Sequence, residues 1–368
     1  MWAGALDFRK TKIIIYLYID FGGILMFALP AEQARFAPVK ESKNYNGIDL
    51  IKFICAVLVF IIHIPPFQGE VSEFAKDVNF GLQHVACRVA VPFYFVASGF
   101  FLFKKKPLYK LDNEIIKTYC FKILRILGTW HVLLFFGGTG HLWYLGATVV
   151  AIILLSLCFH FRIKLGYIHV MACVLYLIGL FGDSYYGIIA PLQNIAIFNL
   201  LFKGYKLVFT TTRNGVFMGF IFVLMGATFS NRKMILRTRT ALIGFVVSML
   251  FLFAEVFLLK KNDIPVDYNM YVFLLPTTFF LFSFAIGVEL KDRSIYKHLR
   301  TIGMVIYFLH LLVKNLTSLA ISVVDKFFSI GLERYHFVLS LAITLVIAIS
   351  IDWLSHKDRF KWLNWILA

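Results

Sequence analysis

Two ionisable residues, Lys52 and His63, share one apolar segment of the chain. The run from Ile48 to His63 is long and apolar enough to cross a membrane, and the two residues lie eleven positions apart, near its ends. Placing an ionisable group inside a bilayer costs roughly 2.5–3.5 kcal/mol, so such residues are functional candidates. An imidazole titrates near neutral pH, which suits His63 to act as a general base. On one helix the two residues would be about 16 Å apart, too far for direct proton transfer between them.

A second apolar segment, from about residue 82 to 103, adds Arg88, Pro92 and the pair Ser98 and Gly99. Pro92 leaves a backbone carbonyl without its helical partner, and a Ser-Gly pair allows close helix contact with an inter-helix hydrogen bond. Arg88 is either a functional cation or a side chain that extends to the lipid headgroups. Ser98 and Gly99 either serve a ligand or only pack.

Further candidates combine a chemically active side chain with a place at or within an apolar segment. They are His141, Trp143, Tyr144, Arg213, Asn214, Glu255 and His310. Each has a structural alternative: aromatic residues form belts at membrane boundaries, and Arg213 with Asn214 could cap a helix. His310 and Lys314 lie on one helical face, and Glu255 is the acid at a compatible depth, so a structural ion pair is an alternative to catalysis.

The composition identifies the class of protein. The chain of 368 residues is 60% hydrophobic and 15% charged, against about 45–50% and 25% for soluble domains. Stretches of about 20 apolar residues separated by short gaps predict an all-α polytopic membrane protein. The net charge of +17 is typical of cytoplasmic loops and contact with anionic lipid, so we do not expect a nucleic-acid partner. The five cysteines lie in or beside apolar runs without paired spacing, which predicts packing residues and no metal site.

We predict about ten membrane-spanning segments within one domain, residues 47–355, followed by a tail at 356–368. The segments are 48–64, 82–103, 119–137, 141–159, 165–182, 213–230, 240–259, 270–289, 302–323 and 335–354. Alternate connections hold most of the loop lysines and arginines, which predicts cytoplasmic termini at both ends. His63 would then lie at the outer end of the first span and Lys52 near its inner end.

Residues 1–46 form an N-terminal extension. Arg9, Lys10 and Lys12 precede an apolar run that contains Asp20, and a span there would invert every later loop against the charge pattern. A signal-like segment is one interpretation, but an interfacial helix or a start codon at Met26 fits better. Further along, the interrupted apolar stretch within 183–212 predicts a re-entrant or interfacial helix.

Five short blocks of residues occur in order along the chain. They are Lys52 with His63, then Arg88-Val-Ala-Val-Pro-Phe-Tyr-Phe-Val-Ala-Ser-Gly-Phe100, His141-Leu-Trp-Tyr-Leu145, Arg213-Asn-Gly-Val-Phe-Met-Gly-Phe220 and Ile306-Tyr-Phe-Leu-His310. Each block alone is weak evidence. Together they cover roughly residues 46–355 and resemble the acyltransferase-3 family of bacterial integral-membrane O-acyltransferases. The chain is also similar to the membrane domain of membrane-bound serine racemases.

The resemblance implies an enzyme of the bacterial plasma membrane that transfers an acyl group, usually acetyl from acetyl-CoA, without a bound cofactor. The acceptor would be a hydroxyl or amino group of a cell-surface glycan or lipid-linked saccharide. His63 takes the catalytic role and Lys52 that of its basic partner. Many family members have arginine at the position of Lys52, and lysine lacks the bidentate fork of a guanidinium.

The same resemblance places a polyanionic CoA donor in the cytosol, beside the most basic loop of the chain. The cations of this region are Lys104, Lys105, Lys106, Lys110, Lys117, Lys122 and Arg125. We expect them to attract the donor, although topology and lipid contact are the favoured explanation of the lysine triplet. Arg88, Ser98, Lys122 and Arg125 are the expected donor-binding residues, and the other candidates would serve the acceptor or support the site.

Two other functions remain open. Because the membrane half of serine racemases is associated with amino-acid uptake, the chain could be a permease-like protein for a small amino acid such as serine, without transferase activity. An unrelated secondary transporter would show inverted repeats with broken helices, and the sequence has no such pattern. It also has no P-loop, dinucleotide fingerprint, zinc motif or Gly-x-Ser-x-Gly elbow.

Overall fold

The computed structural model describes residues 37–38, 44–69, 71–104, 112–135, 137–232 and 234–367. Nearly all of the N-terminal extension lies outside these residues, as do Lys105, Lys106 and Lys110 of the basic loop. The described part is all-α, as predicted, apart from two strands of two residues each. Strand β1 (Ala37–Pro38) pairs antiparallel with β2 (Met234–Ile235), and Ala37 lies opposite Ile235.

The α-helices follow one another with short connections. They are α1 (Asn46–His63), α2 (Glu73–His84), α3 (Ala90–Phe103), α4 (Asn113–Leu133), α5 (Trp143–His160), α6 (Leu165–Phe181), α7 (Tyr186–Ile189), α8 (Ala196–Val208), α9 (Phe220–Arg232), α10 (Thr238–Lys261), α11 (Leu274–Gly287), α12 (Ile295–Phe328), α13 (His336–Ser355) and α14 (Trp362–Leu367). Several begin or end in a 3-10 turn: Ala86–Val89, Gly140–Leu142, Ala190–Asn194, Leu332–Tyr335 and Asp358–Phe360. A π-helical turn, Gly215–Gly219, leads into α9.

Six helical stretches of the described chain are long and apolar enough to cross a membrane, which makes this a multi-pass membrane protein. They are Asn46–His63, Glu73–Phe103, Gly140–His160, Thr238–Lys261, Ile295–Phe328 and Leu332–Ser355. A seventh is reached if Leu165–Phe181 and Tyr186–Asn194, bent by 81°, count as one broken span.

The predicted number of ten spans is not confirmed. Gly215–Ser230 and Leu274–Gly287 are apolar but short. Helix α4 carries the cations Lys117, Lys122 and Arg125 and is not among the six. The domain limits and the cytoplasmic position of both termini stay predictions.

Helices α3 and α9 pack backbone against backbone through glycine. A Cβ atom on Gly99 would collide with the Val223 carbonyl, and one on Gly226 would collide with the Val96 carbonyl. Small residues permit such approaches between helices in an apolar medium, where packing is a main source of association. Gly99 therefore has a packing function, and the adjacent Ser98 is carried into the interior by this contact.

Helix α12 is fixed to its neighbours by polar contacts at several levels. Near its start, Arg300 donates two hydrogen bonds, of 3.0 and 2.5 Å, to the buried Asp49 carboxylate in the first turn of α1. His298 Nδ1 lies 2.7 Å from an oxygen of Asp352 on α13. Further along, the Thr317 hydroxyl bonds to the Ser340 hydroxyl of α13 at 2.6 Å. Because apolar surroundings penalise unpaired polar groups, these contacts fix the position of α12.

Replacing Gly99 with valine should destabilise the protein by more than the ~1–3 kcal/mol typical of overpacking. The added side chain would meet the α9 backbone, which cannot move aside without separating the helices. Gly128→Val in α4 is the matched control, since nothing lies within 4 Å of a Cβ atom there and the change in helix propensity is the same. Apparent melting temperatures of the two variants in detergent provide the measurement. Equal values would contradict the packing function of Gly99.

Candidate active site

The first cavity of the described chain lies at the His63 end of α1 and is called the His63 cavity. Its volume is about 80 Å³, and its polar lining comprises His63, Arg88, His141, Trp143, Arg213, Asn269 and Tyr307. These residues come from α1, the 3-10 turns before α3 and α5, the start of α5, the connections that precede α9 and α11, and α12. The lining residues include no acid. The arrangement brings together five sequence-predicted candidates from distant parts of the chain, namely His63, Arg88, His141, Trp143 and Arg213.

Three imidazole rings meet beside this cavity. The ring of His310 lies 5.0 Å from that of His63 and 4.8 Å from that of His141, measured between ring centroids. His310 Nδ1 is 2.7 Å from the Tyr307 carbonyl. Since a carbonyl only accepts, this nitrogen carries the hydrogen, and a neutral His310 ring has its lone pair on Nε2.

His63 is half-buried at the end of α1, and no hydrogen bond from the described residues reaches its ring. His310, by contrast, is fully buried. A half-buried imidazole that faces a cavity and has no protein partner can accept a proton from a bound group. Among the three imidazoles, His63 therefore has the surroundings expected of a base, and His310 those of a support.

Two arginines of the His63 cavity share one neutral acceptor. Arg88 donates to Asn269 Oδ1 at 2.6 Å, and Arg213 donates to the same oxygen at 3.0 Å. The Arg213 guanidinium also lies over the Trp143 ring, 5.1 Å from its centroid, at a distance typical of a cation–π contact. Arg88 has a further contact at 3.1 Å with His84 Nδ1.

Asn269 is oriented by Asp183, which is almost fully buried. The Asp183 carboxylate accepts from Asn269 N at 2.8 Å, Asn269 Nδ2 at 2.9 Å, Met270 N at 3.1 Å and the Ser184 hydroxyl at 2.9 Å. Because a carboxylate only accepts, Asn269 presents its amide nitrogen to Asp183 and its carbonyl oxygen to the arginines. Neither residue was a candidate from the sequence. The available sequence signal for this part of the site was Asp183, an acid in the connection after α6. Its partner Asn269 lies 86 residues further along the chain.

The second cavity, called the Lys52 cavity, lies near the other end of α1 and has a volume of about 220 Å³. Its polar lining comprises Lys52, Tyr94, Ser98, Tyr144, Arg300 and Tyr307. Ser98 and Tyr144 are joined through their hydroxyls at 3.2 Å, and the Tyr94 hydroxyl donates to the Lys52 carbonyl at 2.7 Å. The Lys52 ammonium lies 4.7 Å from the centroid of the Phe101 ring.

Tyr307 lines both cavities and is the one described residue that does so. Its hydroxyl donates to the His141 carbonyl at 2.6 Å, which holds the phenol between α12 and the start of α5. In the described part of the chain, the Tyr307 ring therefore lies between the cavity with His63 and the cavity with Lys52.

The expected donor-binding residues do not share one cavity. Arg88, which we expected beside Ser98 as a donor-binding residue, lines the His63 cavity, whereas Ser98 lines the Lys52 cavity. Lys122 and Arg125 line neither cavity, and Arg125 lies over the Trp365 ring of α14. Their proposed roles stay predictions.

Glu255 does not form the expected ion pair with His310 or Lys314. Its carboxylate accepts from the Tyr185 hydroxyl at 2.6 Å and from the backbone N–H groups of Val272 and Phe273. The unpaired N–H groups before α11 explain this arrangement, because a helix start favours an acceptor. Asn214 takes its structural alternative, since its side-chain oxygen caps the π-helical turn at Val216 and Phe217.

The family comparison agrees with the resemblance to acyltransferases. Residues 45–138 match the family model of an acyltransferase domain, which confirms the resemblance predicted from the motifs. An amino-acid racemase of Enterococcus faecalis is 30% identical over 291 residues, which are 72% of this chain and 38% of the racemase. A serine/alanine racemase of Enterococcus gallinarum is 29% identical over 296 residues, which are 72% of this chain and 40% of that protein. The chain thus spans about two fifths of the length of these relatives. No solved structure matches.

Asp183→Ala should lower the free energy of unfolding by about 3 kcal/mol or more, because it leaves several buried donors without an acceptor. Asp358→Ala, which removes a solvent-exposed carboxylate paired with Lys361, is the control and should change stability by less than about 1 kcal/mol. Thermal unfolding in detergent, followed by tryptophan fluorescence, measures both. A destabilisation no larger than that of the control would show that Asp183 does not organise the site.

Proposed function

We propose that the protein transfers an acyl group, with acetyl as the expected one, from cytosolic acyl-CoA to a hydroxyl or amino group of a cell-surface glycan or lipid-linked saccharide. The observation that carries the proposal is the placement of His63 and Lys52 in separate cavities on either side of Tyr307, in a chain with an acyltransferase-domain match. One cavity would receive the acceptor and the other the donor.

The Lys52 cavity is the proposed donor side. The loop charges predict that this end of α1 faces the cytosol, where acyl-CoA is found. The Asp49 carboxylate, one turn before Lys52, accepts two hydrogen bonds from Arg300, and it forms no direct ion pair with Lys52 among the described residues. The Lys52 ammonium is thus available to an anionic or strongly polarised part of the donor.

The His63 cavity is the proposed acceptor side. The acceptor hydroxyl attacks the thioester carbonyl, and His63 removes its proton as the new carbon–oxygen bond forms. The carbon–sulfur bond then breaks and CoA leaves as a thiolate, which takes up a proton in turn. A positioned general base typically contributes about 10²–10⁴-fold to such a step. The acyl carbon must pass Tyr307 to reach this cavity, so the phenol ring is the expected boundary between the substrates.

His63→Ala should reduce acyl transfer at least about 100-fold, because it removes the general base. The side chain is half-buried and lacks hydrogen bonds within the described chain, so the variant should retain its fold. His160→Ala, at an exposed position, is the matched control. Transfer of label from radioactive acetyl-CoA to the glycan and lipid fractions of membranes gives the measurement, with folding followed by size exclusion. Normal transfer by a folded His63→Ala protein would rule out the assigned role.

Lys52→Met should raise the KM for acyl-CoA about tenfold, while leaving the KM for the acceptor unchanged, because Lys52 lines only the Lys52 cavity. Loss of one charge-assisted contact of about 1.5 kcal/mol corresponds to that factor. Lys52→Arg should restore donor affinity, and Lys164→Met, at an exposed site, should have no effect. An increase in the acceptor KM alone would contradict the division between the two cavities.

A permease-like function for a small amino acid is the second candidate. It follows from the resemblance to the membrane domain of serine racemases, and the similar proteins, of which this chain spans only part, are named racemases. Labelled L-serine and labelled acetyl-CoA, offered separately to cells or vesicles that contain the protein, distinguish the two functions. Label on a glycan or lipid supports the transferase, whereas serine uptake without acyl transfer supports the permease.

A further inference from the structure

We propose that the His63 cavity is an anion site in which Arg88 and Arg213 bind a carboxylate or phosphate group of the acceptor. This inference rests on the proposed function and names the class of acceptor. The acceptor would be an anionic molecule whose hydroxyl or amino group lies beside its carboxylate or phosphate group. The site itself rests on the geometry of the cavity. It therefore remains testable without any acyl transfer.

The two guanidinium groups lack a direct counter-charge. Among the described residues, no carboxylate lies within ion-pair distance of Arg88 or Arg213, and none lines the cavity. Their shared partner is the neutral oxygen of Asn269. In addition, the Nε atoms of both arginines are buried without a hydrogen-bond partner in the described chain. A buried cation that makes only part of its hydrogen bonds is costly, so a ligand that supplies the missing acceptors should bind.

The nearby acids do not fill this role. Asp183 already accepts four hydrogen bonds and lies behind Asn269, whereas Asp267 is exposed. Both carboxylates attract the Arg88 cation, but neither lines the cavity. The cavity lining therefore holds two guanidinium groups and no acid, with Nε–H donors that have no partner in the described chain.

The geometry also favours particular ligands. A guanidinium binds planar or tetrahedral oxyanions through two parallel hydrogen bonds, which a single halide ion cannot match. The cavity, at about 80 Å³, accommodates a small anionic group and its neighbouring atoms, not an entire saccharide. Because His63 lines the same cavity, a hydroxyl one or two bonds from the anion is placed near the proposed base. The anion would thus fix the orientation of the acceptor.

The test uses the purified full-length protein in nanodiscs without acyl-CoA. Two pairs of small probes separate the two anion chemistries: L-lactate against lactamide, and glycerol 3-phosphate against glycerol. We expect one anion of a pair to raise the apparent melting temperature with increasing concentration, while its neutral analogue has no effect. Lactate binding identifies a carboxylate acceptor, and glycerol 3-phosphate binding identifies a phosphate acceptor.

Arg213→Gln and Arg88→Gln should each weaken anion binding at least tenfold. Arg213→Lys, which keeps the charge but loses the fork, should have an intermediate effect and is the variant to use if the glutamine variants fail to fold. Arg334→Gln is the matched control, because this exposed arginine bonds only to the backbone oxygens of Gly331 and Ile330. It should bind the anion like the unsubstituted protein.

Three results would overturn the proposal: no stabilisation by either anion, equal stabilisation by the neutral analogues, or unchanged binding in folded arginine variants. These outcomes differ from failure of the proposed function. A protein that binds the anion but transfers no acyl group retains the site and loses the transferase assignment. A protein that transfers an acyl group but does not bind the anion retains the transferase assignment and loses the anion site.

Discussion

The His63 end of the molecule depends on the hydrogen bonds that the Asp183 carboxylate accepts. Asp183 lies in the connection after α6 and accepts hydrogen bonds from the segment that precedes α11, so it joins two non-helical parts of the chain inside an apolar protein. Non-helical backbone at such a place must have its polar groups satisfied by protein or by water in a cavity. Asp183 satisfies two N–H donors of this backbone, one hydroxyl and one amide side chain, and through that amide it positions both arginines.

The second organising feature is the separation of two cavities by Tyr307. A helix of eighteen residues, Asn46–His63, carries one functional candidate toward each cavity, and α12 supplies the ring between them. Helix α12 is fixed at its start to Asp49 and Asp352, and near the middle to Ser340. The position of Tyr307 therefore depends on several polar contacts distributed along one long helix. In the proposed transferase, this ring would control how the acyl carbon reaches the acceptor.

The sequence predicted the class of the fold, the first helix to within two residues and the family resemblance. It also identified five of the residues that line the His63 cavity, because ionisable and aromatic residues in apolar runs are conspicuous. The predicted count of ten spans is not confirmed, since α4 is too cationic and two other segments are short. The pairing of Glu255 was wrong because depth alone does not show which backbone donors are near. Asn269 and Asp183 were missed because their contact joins distant connections that have no periodic pattern.

The neutrality of Asn269 has a further consequence. Asparagine and aspartate have nearly the same shape, but an aspartate at this position would give the two arginines an internal counter-ion and would face Asp183 with a like charge. A single codon step could thus convert an open receptor for anions into a closed structural cluster. In the proposed anion site, specificity would depend on one atom of a residue that takes no part in the chemistry. Divergence among related chains should accordingly be sought at the partner of the arginines as much as at the arginines themselves.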